Sequence, residues 1–172
     1  LLLGMGKSDK LSTKEARDGG ANLVAGLAKS HGKNLLVRFT TGWRSAAMAA
    51  FAEGMVLRDY KFDKYLSKDD DDDDDGTPLS AHFEASDRYT AALSSGCERA
   101  SAIAVGVHIA RDLGNEPANK LYPMEYAARA RAWKKGKGNV KLTVYEWDDL
   151  QKHGMGGLIN VGMASDHKPR MV

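Results

Sequence analysis

The sequence predicts an α/β protein, and three observations carry that prediction. Short apolar runs alternate with helical patterns over the first sixty residues, a cleanly alternating strand runs straight into one long alanine-rich helix, and strand and helix signals resume after it. Brief connections between such elements favour parallel strands with helices packed on them.

The elements follow in order. Leu1–Gly6 reads as a buried strand ending in a glycine turn. Ser12 and Glu15 have the three-residue spacing of a capping box, which predicts a helix whose apolar face holds Ala16, Leu23, Leu27 and Ala28 and which stops near His31-Gly32. Gly19-Gly20 weakens that helix while allowing close approach to a neighbour. Asn34–Thr40 is a second strand, and its unbroken Leu-Leu-Val implies burial on both faces. Ser45 opens a helix with Met48, Phe51, Met55 and Val56 on its apolar side.

A run of seven aspartates, Asp69–Asp75, interrupts this pattern. Adjacent like charges repel and have nothing to bury, so residues 68–77 are expected to form an exposed acidic loop. Calcium is not implied, because the run lacks the central glycine and terminal glutamate of an EF-hand loop. From Leu79 to Ala85 apolar and polar residues alternate, as in a half-covered strand. A helix is predicted from Asp87 to Leu113, with Tyr89, Leu93, Cys97, Ala100, Ala104, Val107 and His108 on one face.

Gly114, Asn115 and Pro117 then stop the helix and turn the chain. Pro123 suits the first position of the next helix, where its missing N–H costs nothing, and that helix should run to Lys135. Val140–Glu146 reads as a strand with Val140, Leu142 and Val144 inward. Asp148 is expected to cap a single helical turn that buries Leu150 and closes at His153-Gly154. Gly157–Met163 is expected to be another strand and Pro169–Val172 the start of the next, which together suggest a second parallel layer.

Composition narrows the function. The 42% apolar and 28% charged fractions are those of an ordinary globular protein, and no apolar run approaches the roughly 20 residues that span a bilayer. The formal charge of +2 hides a basic surplus, since 23 acidic residues fall to 16 against 25 basic ones when the seven of the run are set aside. The basic residues are interspersed with acids on predicted helices, which describes solvated faces and disfavours a nucleic-acid partner. A single cysteine, Cys97, excludes an internal disulfide and a multi-cysteine zinc site and fits a reducing compartment.

Other candidate chemistry is weak. Gly4-Met5-Gly6-Lys7-Ser8 suggests a phosphate loop, but the glycine required five positions before Gly6 is Leu1. His31, His82, His108, His153 and His167 are dispersed without metal-ligand spacing, and His31 and His153 read as helix C-terminal cations. Ser165-Asp166-His167 has the letters of a triad but not its geometry.

The segment Arg111, Leu113, Asn115, Pro117 and Asn119 resembles the R-x-L-x-N-x-P-x-N motif of the leucyl aminopeptidases of the M17 (cytosol aminopeptidase) family, and the resemblance extends through Pro123 to Val140–Gly162. Leu1–Lys7 and Ala52–Tyr65 look like parts of that family's N-terminal domain. Tyr122 stands where the family usually has Thr or Ser, and Ala164-Ser165 where it has Gly-Ser.

The resemblance implies an internal piece of a longer enzyme. Residues 1–86 would be part of a macro-domain-like α/β/α N-terminal domain, 87–113 the bridging helix, and 114–172 the first strands and helices of the catalytic domain. The expected parent is a metal-dependent aminopeptidase that removes N-terminal residues from peptides, a homo-hexamer of the cytoplasm or, alternatively, of an organelle matrix. Its two divalent ions, zinc or manganese, would be held downstream of Val172. No catalytic, metal or substrate residue is then expected in this segment, and Arg111, Leu113, Asn115, Pro117, Asn119 and Pro123 would be structural. Arg111 is expected to pair with an acid such as Asp112, Glu116 or a residue from a neighbouring domain, while Asn115 and Asn119 satisfy backbone groups at the bend. The alternatives are a catalytically silent paralogue with a scaffolding role and a macro-like module that binds an anion such as ADP-ribose.

Overall fold

The computed structural model describes residues 3–7, 11–27, 34–40, 42–67 and 79–172. The predicted acidic loop at 68–77, the helix end at His31-Gly32, and Leu1, Leu2, Ser8 and Ala28 lie outside these residues. The chain divides into two compact units, Leu1–Asp112 and Leu113–Val172.

The first unit contains α1 (Thr13–Leu27), β1 (Asn34–Arg38), α2 (Ser45–Arg58), β2 (Ser80–Glu84) and most of α3 (Asp87–Asn115). β1 and β2 pair in parallel with Leu35 opposite Ala81 and Val37 opposite Phe83, so the α/β prediction stands. A parallel pair needs a crossover between its strands, and α2 lies in that connection. The capping box also stands: Ser12 N–H donates to Glu15 Oε2 (2.8 Å) and Glu15 N–H to Ser12 Oγ (3.2 Å).

Leu11, Ala16, Val24, Ala47, Ala50, Phe51 and Met55 form the core, with Leu35, Val37, Phe39, Ala81 and Phe83 packed against it. Phe39 stacks on Phe83 at 5.8 Å and meets Phe51 edge-on at 5.8 Å, both favourable ring geometries. Small residues let the helices approach. A Cβ on Gly20 would lie 2.0 Å from the Phe51 carbonyl oxygen, and one on Gly54 would lie 1.9 Å from that of Arg17. Backbone therefore touches backbone where α1 and α2 cross, as Gly19-Gly20 suggested. Gly96 of α3 meets the Ala49 methyl of α2, which would lie 2.5 Å from an added Cβ.

Three expectations for this unit are corrected. Leu3–Lys7 forms no strand; Met5 instead packs against the core, touching Gly19. β1 is covered on one face only, leaving Leu36 67% exposed, because the core residues of α1 and α2 meet the Leu35 and Val37 face. On α2, Met48, Phe51 and Met55 are buried, but Val56, one residue beyond Met55, falls outside the stripe and is exposed.

In α3 the expected face holds. Leu93, Ala100 and Ala104 are buried, and Tyr89, Cys97, Val107 and His108 are half-buried. The helix continues two residues past the predicted end, to Asn115.

The second unit contains α4 (Pro123–Lys134), α5 (Trp147–Lys152) and α6 (Gly156–Gly162). Pro123 takes the predicted first position of α4 after the extended Tyr122. Leu150 is fully buried, and Gly154, at φ +65°, closes α5 after His153 as expected. The cap is different: Glu146 rather than Asp148 is the N-cap and forms a capping box with Asp149.

The expected second parallel layer is not found among the described residues. Val140, Leu142 and Val144 alternate in burial as predicted, but the segment forms no ladder. Its pairing is a single antiparallel bridge from Tyr145 to Met171, with N–H···O distances of 2.8 and 3.1 Å. A strand requires a neighbour for its N–H and C=O groups, and here only one residue finds one. The expected strand at 157–163 is helix α6, with Ile159 N–H bonded to Met155 O at 3.1 Å. A short apolar run fits strand and helix equally well by periodicity. α6 buries no residue and leaves Val161 89% exposed.

Candidate functional site

Two small side-chain clusters flank the motif, one in each unit. In the first, Arg111 Nη1 donates to the Leu57 carbonyl at 2.6 Å, at the C-terminal end of α2, and the guanidinium lies 5.4 Å from the Tyr60 ring centre. The Tyr60 hydroxyl donates to Asp112 Oδ1 at 2.8 Å, and the His108 ring packs on Tyr60 at 5.1 Å. A cation at a helix C-terminus meets the partial negative charge of the last carbonyls, so Arg111 serves as a C-terminal cap supplied by another helix. The expected pairing of Arg111 with Asp112 or Glu116 is therefore corrected. Asp112 takes the Tyr60 hydroxyl, and Glu116 is engaged elsewhere.

In the second cluster, the Glu116 side chain is only 2% exposed and accepts from Arg129 Nη1 at 2.9 Å. Arg129 Nε reaches Glu125 at 2.9 Å. The two carboxylates push the guanidinium further above its ordinary pKa, Glu125 contributing most and Glu116 next. This fork fastens α4 to the turn, where Pro117 O accepts from Lys120 N–H and Leu121 N–H (2.8 and 2.9 Å). Leu113 is half-buried, Asn115 ends α3, and Asn119 is exposed in the turn.

A third charged group lies in the same unit. Glu146 accepts from Arg170 and, at 3.0 Å, from Arg131, and its carboxyl is held below the ordinary value of 4.5 by Arg170 first and Arg131 second. Sequence reasoning missed Tyr60, Glu116, Arg129 and Glu146. Only the Glu125–Arg129 spacing of four was a local signal; the other partners are brought together by folding.

The remaining candidates stay apart. His82 is exposed on β2, His153 caps α5 as expected, and His167 stacks on Tyr122 at 4.1 Å. Ser165 Oγ accepts from the His167 backbone N–H (3.1 Å), a local turn rather than a catalytic relay. Burial raises the Cys97 pKa, which disfavours the thiolate. Among the described residues no group of three His, Cys, Asp or Glu residues could hold a metal ion, so the metal pair implied by the resemblance does not fit these residues. No helix among them is long and apolar enough to cross a membrane.

The described structure is thus an α/β unit followed by a second unit that begins at Leu113, inside the R-x-L-x-N-x-P-x-N segment. Comparison with known proteins is specific. Residues 1–69 match the N-terminal domain of the cytosol aminopeptidase family, and residues 108–172 match its catalytic domain. The chain belongs to the cytosol aminopeptidase family. A probable cytosol aminopeptidase of Chelativorans sp. (strain BNC1) is 33% identical over 99% of this chain and 34% of its own length. Another, from Afipia carboxidovorans, is 40% identical over 72% of this chain and 24% of its own length. Among solved structures, the bottromycin maturation enzyme BotP in complex with Mn superposes with a TM-score of 0.74 at 26% identity, over 98% of this chain and 34% of that one. The chain thus spans about a third of the length of the relatives it matches.

Proposed function

We propose that this chain is part of a metal-dependent leucyl aminopeptidase that hydrolyses N-terminal residues from peptides. In this reading residues 1–86 belong to the N-terminal domain, 87–113 to a bridging helix and 114–172 to the opening of the catalytic domain. The observation that carries it is the order of the two family matches, N-terminal domain then catalytic domain, along one chain.

In this reading the two divalent ions, zinc or manganese, would be bound by residues downstream of this segment. The related BotP, solved with Mn, supports manganese as the first ion to test. Arg111, Leu113, Asn115, Pro117, Asn119 and Pro123 then shape the entrance to the catalytic domain and touch neither metal nor substrate. A cytoplasmic homo-hexamer is the corresponding assembly.

The full-length protein, assayed on an aminoacyl chromogenic substrate, should release the chromophore with manganese or zinc present and stop when a chelator is added. A full-length protein that binds metal but turns over no aminoacyl substrate would favour the silent, scaffolding paralogue. Activity that survives the chelator would overturn metal dependence.

A further inference from the structure

We infer that Tyr60, His108, Arg111 and Asp112 form a latch joining the exit of α2 to the last turns of α3, with Tyr60 as its pivot. The two sequence stretches concerned, Ala52–Tyr65 and the motif opening at Arg111, lie in different family matches, the N-terminal domain model at 1–69 and the catalytic domain model at 108–172. The structure brings them together within one compact unit. The first residues of the catalytic match therefore act on the N-terminal unit, and the latch spans a junction that the linear sequence puts about fifty residues apart.

The geometry shows why the parts depend on one another. Arg111 makes two unlike contacts, a hydrogen bond to Leu57 O and a face-on approach to the Tyr60 ring, and a planar guanidinium can make both at once. The ring also carries the hydroxyl that holds Asp112, one residue further along α3. Moving Tyr60 therefore disturbs three groups on α3: the Arg111 side chain, the Asp112 carboxylate and the His108 ring. The phenol gives α2's exit a fixed register against the helix, which a purely apolar contact would not set.

Hydrogen exchange reads the latch directly, so its test needs no activity. Amide hydrogen exchange on the full-length protein would compare wild type with Tyr60→Phe, Arg111→Gln, the double variant and Asp112→Ala. Tyr60→Phe keeps the ring and removes one hydrogen bond, so exchange should rise about fivefold, the effect of a typical net hydrogen bond, in both 57–60 and 108–112. Arg111→Gln should raise exchange in the same two stretches. The double variant should fall well short of the product of the two single effects, because both remove parts of one arrangement. If Arg111→Gln unfolds the protein, the two single-bond variants Tyr60→Phe and Asp112→Ala still decide, since each removes the Tyr60–Asp112 hydrogen bond and must loosen both stretches. Loosening confined to the mutated side, or single effects that simply multiply, would overturn the latch.

Discussion

The two units are held together by different forces. The first has a shared apolar core, in which Ala16, Phe51 and Met55 are nearly inaccessible and glycines let α1 and α2 touch backbone to backbone. The second buries just Ala127 and Leu150 among its apolar residues outside the prolines, and is pinned by charged side chains: Glu116 and Glu125 on Arg129, and Arg131 and Arg170 on Glu146. Apolar burial is non-directional and insensitive to pH, whereas ion pairs are directional and titrate. The first unit should therefore fail through shape and the second through charge.

The sharpest way to break this contrast is Gly54→Val. The Cβ would start 1.9 Å from a backbone oxygen that no rotamer change can move, so α1 and α2 must separate. The expected loss is about 3 kcal/mol, the upper range of overpacking, read as a lowered midpoint in chemical unfolding. An unchanged midpoint would mean that the close crossing does not exist in solution.

Glu116→Gln comes next and tests the second unit. It leaves Arg129 with Glu125 alone. Breaking a buried pair costs about 3–5 kcal/mol, but the Arg129 side chain remains 33% exposed and can rehydrate, so roughly 2 kcal/mol is expected. Arg129→Lys should not rescue a bidentate site, which distinguishes geometry from charge alone.

The smallest expected effect is a pH dependence at Glu146. Its pKa is depressed in the folded state, so its contribution is complete above the ordinary value of 4.5 and is lost as pH falls through the lower folded value. Thermal unfolding measured from about pH 6 to about pH 3 should show wild type losing stability in the acid range more steeply than Glu146→Gln. Parallel curves would show that Arg131 and Arg170 add nothing at this position. Because the carboxylate is partly exposed, added salt should shrink the difference.

How much of this was legible beforehand varied by element. Ser12 and Glu15 announced their capping box because the interaction spans three residues. Likewise the face of α3 through Leu93, Ala100 and Ala104 follows from helical periodicity alone. Leu36 misled, since a continuous apolar run does not say how many faces a sheet has covered. So did Gly157–Met163, too short for its period to separate strand from helix. The family motif was visible as letters, but the partners of Arg111 were not, because Leu57 and Tyr60 are more than fifty residues away.

What short range can decide was already present in the chain's letters: the helix starts at Ser12 and Pro123, the end of the long helix to within two residues of Leu113, and the family motif. These depend on backbone hydrogen bonds and side-chain periodicity over a few residues. Folding alone settled which face of β1 is covered, that Glu116 is buried against Arg129, and that Arg111 caps α2 on the face of Tyr60. Those outcomes depend on which distant groups exclude water from one another, and no local stretch of chain encodes that.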